Sequence, residues 1–178
     1  MANFSLRIAK AEKLRVDLDA LYVAALFHDI GKAGAMDNNG QIDYQSEANK
    51  SYENISGNFL KKYIGNIVDD KTIEKAVKII NEELNENPSI ERKAIKDADE
   101  LGNFGYSQVW RTINYIALNR QSFAEMVEFW ESGHLEKRRK WIDQLSYDVS
   151  KRVALKRYKK FVDFIQEIKK ESLGEDII

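Results

Sequence analysis

Two short stretches carry the side-chain types that could do chemistry. The first is "ALYVAALFHDIGKAG", Ala20 to Gly34, where an apolar run ends on His28, one of only two histidines, with Asp29 beside it and a break at Gly31-Lys32. Burying two ionisable groups without partners is costly, so a core helix gains nothing from ending this way unless the two share something. Imidazole nitrogen together with carboxylate oxygen is a donor set for manganese, iron, nickel, cobalt or zinc rather than for calcium. Neighbouring helical residues point ~100° apart, so the pair converges only where the helix ends, and Gly31 supplies a terminator. A doublet cannot close a metal site by itself. Taken alone, it also reads as a C-capping histidine beside an ordinary turn aspartate.

The second stretch is "IERKAIKDADELGNFG", in which Asp97 and Asp99 flank the small Ala98 on a segment whose apolar side carries Ile95 and Leu101. Acids placed beside a packed stripe either pair with lysines, here Lys93 and Lys96, or serve a metal. Both readings stand on this stretch alone.

The elements that must position these residues are helices. Proline occurs once, at Pro88, and apolar residues recur at three- and four-residue spacings rather than in alternation. The pattern predicts helices over 3–14, 18–29, 47–63, 70–84, 89–101, 105–118, 121–131, 134–145 and 147–171. Asp17-Leu18-Asp19 and Ser132-Gly133 punctuate helix ends, and "GAMDNNGQIDYQ" is a loop by composition. The last helix, "KRVALKRYKKF", should pack through Val153, Tyr158, Phe161 and Phe164 and turn its lysines and arginines to solvent. The expectation is one all-α domain over residues 1–178.

Composition narrows the function classes. The 178 residues are 43% apolar and 32% charged with a net charge of −1, so no global basic field recruits nucleic acid or an anionic membrane. No cysteine is present, which excludes a disulfide framework, a thiolate metal site and a cysteine nucleophile, and fits a cytoplasmic protein. The opening "MANFSLRIAKAEKL" has no signal-peptide apolar core, and no run approaches the ~20 apolar residues of a membrane span.

"HDIGK" followed about seventy residues later by "DADEL" resembles the HD superfamily of metal-dependent phosphohydrolases, closest to its small bacterial and archaeal members that act on nucleotides. The resemblance runs through "VAALFHDIGK", "NPSIERKAIKDADELGNFG" and "KRVALKRYKKFVDFIQEI", most of the chain. It implies a single-domain helical bundle holding a divalent ion (Mn, Co, Ni, Fe, Zn or Mg). His28 and Asp29 match the family's doublet and Asp99 its late metal aspartate, so these three are the implied ligands. Asp97 matches the preceding acid, which supports the site from behind the ligands. Lys32 matches the lysine positioned to meet a substrate phosphate, and Arg111 of "VWRTI" matches an arginine near the substrate. The implied catalytic set is Asp29, Lys32 and Asp97.

The chain departs from the family pattern in its imidazoles. The family's first metal histidine lies in the opening helix, and no histidine precedes His28. One alignment puts Phe4 in its place. A second, preferred here, puts it just before Met1 and predicts that the extreme N-terminus is missing. The further histidines of two-metal members fall near Tyr52 and near Glu82-Glu83, so a one-metal reaction is expected. His134, in "SGHLEKRR", reads as a helix-start or surface histidine.

The expected function is therefore hydrolysis of a phosphomonoester or phosphoanhydride, with a nucleotide as the substrate implied by resemblance and with weak metal occupancy. The alternative is a non-catalytic HD-fold binding or regulatory module. A nucleic-acid reading through "KRRKW" and "KRVALKRYKK" is the weakest, because such basic stripes usually face water. No membrane partner is expected, and the oligomeric state is open.

Overall fold

The computed structural model describes residues 1–36, 52–82 and 87–177. The start of the helix expected over 47–63, the end of the one expected over 70–84, most of the Gly/Asn/Asp-rich loop and Glu83 lie outside the described residues. Within them the chain is helix after helix with no strand. No helix among them is long and apolar enough to cross a membrane. The chain divides into two compact units, Met1–Ala98 and Asp99–Ile178.

The first unit is built around a helix that is apolar nearly all round. α1 (Ala2–Ala11) buries Ala2, Ser5, Ile8 and Ala9, one face at helical spacing. It stops short of the expected residue 14 because Lys13 turns left-handed, with φ of 53°. The Leu14 N–H then bonds Ala9 O at 2.9 Å and the Lys13 N–H bonds Lys10 O at 3.3 Å, the Schellman closure. α2 (Leu18–Phe27) buries Ala20, Leu21, Val23, Ala24 and Ala25, which is more than one face, and packs on α1 and on α4 (Asp70–Ile80). Asp17 starts α2 by accepting the Ala20 N–H at 3.1 Å, and its other oxygen takes Lys75 Nζ of α4 at 2.6 Å.

α3 (Tyr52–Ile64) approaches α4 closely at Gly57. A Cβ there would lie 3.0 Å from Asn81 Oδ1 and 3.2 Å from Val77 Cγ1. α5 (Ile90–Glu100) is capped by Ser89, whose hydroxyl accepts the Arg92 N–H at 3.1 Å. Its buried face carries Arg92, Ala94, Ile95, Asp97 and Ala98. The division between the units falls inside this helix, so Asp99 rides on the last turn of a helix that belongs to the first unit through Ala98.

The second unit continues with α6 (Tyr106–Leu118), α7 (Phe123–Phe129), α8 (Leu135–Asp143) and α9 (Asp148–Leu173). Ser122 and Glu125 form a reciprocal capping box at the start of α7. The punctuation expected at Ser132-Gly133 is a kinked turn over Trp130–His134, with Gly133 at φ 107°. The core gathers Ile116, Met126, Val127, Trp130, Phe161 and Ile165. Trp130 and Phe161 meet edge to face at 4.7 Å, a favoured aromatic geometry. On α9, Phe161 is buried and Val153, Tyr158 and Phe164 are half-buried, as the periodicity implied. Arg157 departs from the solvent-facing expectation: its Nη1 donates to Leu101 O at 2.6 Å, and burial pushes its pKa down.

Candidate metal centre

The doublet converges because α2 unwinds beneath it. His28 keeps helical angles as the last cap of α2, whereas Asp29, at φ −106° and ψ 1°, has left the helix and opens a 3-10 turn over Ile30–Ala35. The new direction is pinned by Ser56 of α3, which is fully buried. Its hydroxyl accepts the Gly31 N–H at 2.8 Å and donates to His28 O at 3.0 Å. One side chain thus satisfies two backbone groups freed where the helix ends.

His28 is 8% exposed. Its Nδ1 lies 3.1 Å from Ala25 O, and an acceptor there assigns the proton to Nδ1 and leaves the lone pair on Nε2. That arrangement is the usual orientation of a metal-bound histidine. Nε2 lies 3.3 Å from Asp29 Oδ1, yet both are buried without a hydrogen-bond partner. The other oxygen, Oδ2, takes Lys32 Nζ at 2.8 Å.

Asp99 is exposed, and it offers a carboxylate oxygen to the same place. One ligand atom from each of His28, Asp29 and Asp99 lies within 4.8 Å of the others, the only such group among the described residues. Three acceptor atoms gathered this closely, two of them without a hydrogen-bond partner, favour a cation between them. The residues present therefore fit a divalent ion bound by one imidazole and two carboxylates. The site also collects the C-terminal ends of α2 and α5, whose unsatisfied carbonyls favour positive charge nearby.

The other expected residues divide. Asp97 is fully buried and stands outside the three-residue group, because a separation of two turns it ~200° from Asp99 on the helix. Lys93 donates to Asn87 Oδ1 at 3.3 Å rather than bracing the acids. Arg111, on α6, donates to Asn103 Oδ1. His134 stands at the N-cap of α8, as the helix-start reading expected, and is half-buried. Its ring stacks on Phe129 at 3.8 Å, and its Nδ1 lies 2.7 Å from Phe129 O. Tyr52 opens α3. Ser56 was not among the candidates, since a serine in "SYENISGNFL" carries no signal distinguishing it from any helix serine.

An all-helical scaffold with a His-Asp doublet at one helix end and an aspartate from the end of another defines the class, a helical domain with a divalent-metal site. The model of the HD domain family matches residues 1–103, more than half of the chain, and the chain belongs to that family, whose members are generally metal-dependent phosphohydrolases. Among solved structures, Bacillus subtilis YpgQ in complex with ADP is similar with a TM-score of 0.64 at 17% identity, over 96% of this chain and 84% of that one. The Lin1889 protein of Listeria innocua is similar with a TM-score of 0.62 at 24% identity, over 96% of this chain and 82% of that one. At these identities the likeness is one of fold. Comparison with curated proteins gives no match.

Proposed function

We propose that this chain is a metal-dependent phosphohydrolase that cleaves a phosphomonoester or phosphoanhydride, with a nucleotide as substrate and the cytoplasm as its compartment. The observation that carries the reading is the pair of buried, partnerless acceptors, His28 Nε2 and Asp29 Oδ1, 3.3 Å apart beside the Asp99 carboxylate. Membership of the HD family supports the reaction class. The ADP in the fold's neighbour supports the substrate class.

His28, Asp29 and Asp99 would hold the ion. A divalent ion so held supplies Lewis acidity and a bound water of lowered pKa. The bond from His28 Nδ1 to Ala25 O keeps the imidazole in the tautomer that presents Nε2 as an acceptor. Lys32, anchored on Asp29 Oδ2 at 2.8 Å, fixes that carboxylate's rotation and brings positive charge to an arriving phosphoryl group. Asp97, fully buried two residues before Asp99, acts as a positioning residue for the end of α5.

The test is metal content and turnover on one preparation. Protein purified without chelator should carry divalent metal. It should hydrolyse members of a nucleotide panel with manganese, cobalt or magnesium, and lose both properties on chelation or in Asp29→Ala. Turnover that survives chelation would sink the reading. A second reading, a binding or regulatory module, is favoured by one observation: among the described residues the donor group holds a single imidazole and two carboxylates. It predicts nucleotide binding without turnover at any metal concentration.

A further inference from the structure

The polarity of α6 is turned inside out. Its buried side carries Gln108 and Thr112 beside Ile116, and the two polar groups satisfy each other, Gln108 Nε2 donating to Thr112 Oγ1 at 3.2 Å. Its outer side leaves Tyr106 71%, Trp110 67%, Tyr115 60% and Leu118 84% exposed. Tyr106, Trp110, half-buried Ile113 and Ala117 follow at intervals of four, three and four residues, the spacing of a stripe that packs against a neighbour. Asn114, Leu118 and then Tyr115 carry this surface further round the helix. From Tyr106 to Leu118 the single charged side chain is Arg111. A helix face turned to water normally carries more charge than this.

Area and shape together select the occupant. Three aromatic side chains at this exposure, with Leu118, leave roughly 500 Å² of apolar surface per chain, so two such faces bury about 1,000 Å², the size at which a specific interface becomes stable. The apolar groups stand on one helix, whereas a bound peptide helix needs a groove to lie in. A face nearly without charge also offers no complementary pattern by which to choose a foreign partner, and little like-charge repulsion against itself. Its side chains complement their own copies. In an antiparallel pairing centred on the level of Thr112, Trp110 meets Asn114 of the second copy, Tyr106 meets Leu118 and Ser107 meets Ala117, so bulky groups face smaller ones. Burial there leaves little unsatisfied or loose. Asn114 Nδ2 already donates to Trp110 O at 3.0 Å, and Lys160 Nζ lies 4.9 Å from the Tyr106 ring centroid, steadying the ring before a partner arrives.

We propose that α6 pairs, antiparallel and across a two-fold axis, with α6 of a second copy of this chain. Sedimentation equilibrium of the full chain across the micromolar range should show the mass rising to twice that of one chain. Trp110→Glu places a charge at the centre of the seam and should raise the dissociation constant about tenfold or more, as loss of a central aromatic anchor does. Leu118→Lys, nearer the end of the helix, should raise it severalfold. Both positions are mostly exposed, so helical content by circular dichroism should be retained. Ile67→Glu, at a position 79% exposed in the first unit, should leave the dissociation constant unchanged. The chain has no cysteine, so Asn114→Cys supplies a sole thiol. A short bismaleimide should join two such chains, and should not join two carrying Ile67→Cys instead. A monomer at every concentration would overturn the proposal and leave the face to a foreign helix. So would a dimer that Trp110→Glu leaves intact, or one that Asn114→Cys fails to link.

Discussion

The two units bury polarity of opposite sign. In the first, the end of α2 gathers lone pairs without donors: Nε2 of His28 and Oδ1 of Asp29 meet at 3.3 Å, both buried and without a hydrogen-bond partner. In the second, the wall of a cavity gathers donors without carboxylates, with two arginines and a lysine among aromatic rings. The first favours a cation, whereas in the second the nearby Glu100 offsets part of the positive charge around Arg138. The means of holding the groups differ as well. The doublet is held by hydrogen bonds that involve backbone: His28 Nδ1 donates to Ala25 O, and the Ser56 hydroxyl donates to His28 O. The guanidinium of Arg138 is held by two indole faces. A hydrogen-bonded anchor is directional, which metal ligation needs, whereas ring stacking tolerates sliding.

The largest effect should come from removing an acceptor. Asp29→Ala or His28→Ala takes one of three donors from the ion, and bound metal measured after desalting should fall well over tenfold. Asp97→Ala should reduce it less, by roughly tenfold at most, the lower end of what outer partners of a metal site contribute. Equal losses would mean that Asp97 shares the ligand role, and the contrast between an acceptor cluster and its support would fail. The next effect belongs to the second unit. Gly105 has φ 72° and ψ −143°, and a Cβ there would lie 3.0 Å from Arg157 Cβ. Gly105→Ala should therefore destabilise by about 3 kcal/mol in thermal or urea melts, with no loss of bound metal in the folded fraction.

Ser56→Ala tests whether backbone anchoring matters to the first site. It removes the acceptor of the Gly31 N–H and the donor to His28 O. Leaving buried polar groups unpaired should cost about 2 kcal/mol. Because the anchored backbone aims Asp29, metal affinity should fall along with stability. A destabilised variant with unchanged affinity would show that the doublet is aimed by α2 alone.

How much of this was legible in the sequence follows from what periodicity can carry. The helices and the break after His28 were legible, because apolar spacing and the Gly31 signal act within a turn or two of chain. The pairing of "HDIGK" with "DADEL" across some seventy residues was legible only through family resemblance. Spacing alone left Asp97 and Asp99 equivalent, and the fold separates them into a fully buried residue and an exposed one. The cavity was not legible at all. "KRRKW" reads as a solvated basic stripe, and nothing local says that Arg138 folds over Trp141 while Arg139 turns to Asp143. Ser56 was invisible for the same reason, since its partners lie 25 and 28 residues away.

The smallest effect concerns the far end of α2, and it separates holding the helix from holding the ion. Asp17 accepts the Ala20 N–H as N-cap and pairs with Lys75. The hydrogen bond from Lys75, and after it the one from Ala20, hold its carboxyl below the usual value of 3.8. A carboxyl depressed on folding contributes stability above its unfolded pKa, and that contribution is lost as pH falls through the folded value. The wild type should therefore shed this part of its stability below about pH 4, while Asp17→Ala, lacking the carboxyl, should show a flatter acid limb. The magnitude at neutral pH is about 1 kcal/mol, mostly from the lost cap, because the carboxylate is about one-third exposed (35%) and salt screens the Lys75 pair. Asp17→Asn keeps a capping side chain and should recover most of the difference at neutral pH, with its stability no longer sensitive to added salt at this position. Metal content should be unchanged in both variants. If Asp17→Ala lost metal as Asp29→Ala does, the cation site would depend on the whole of α2 rather than on the acceptors at its end.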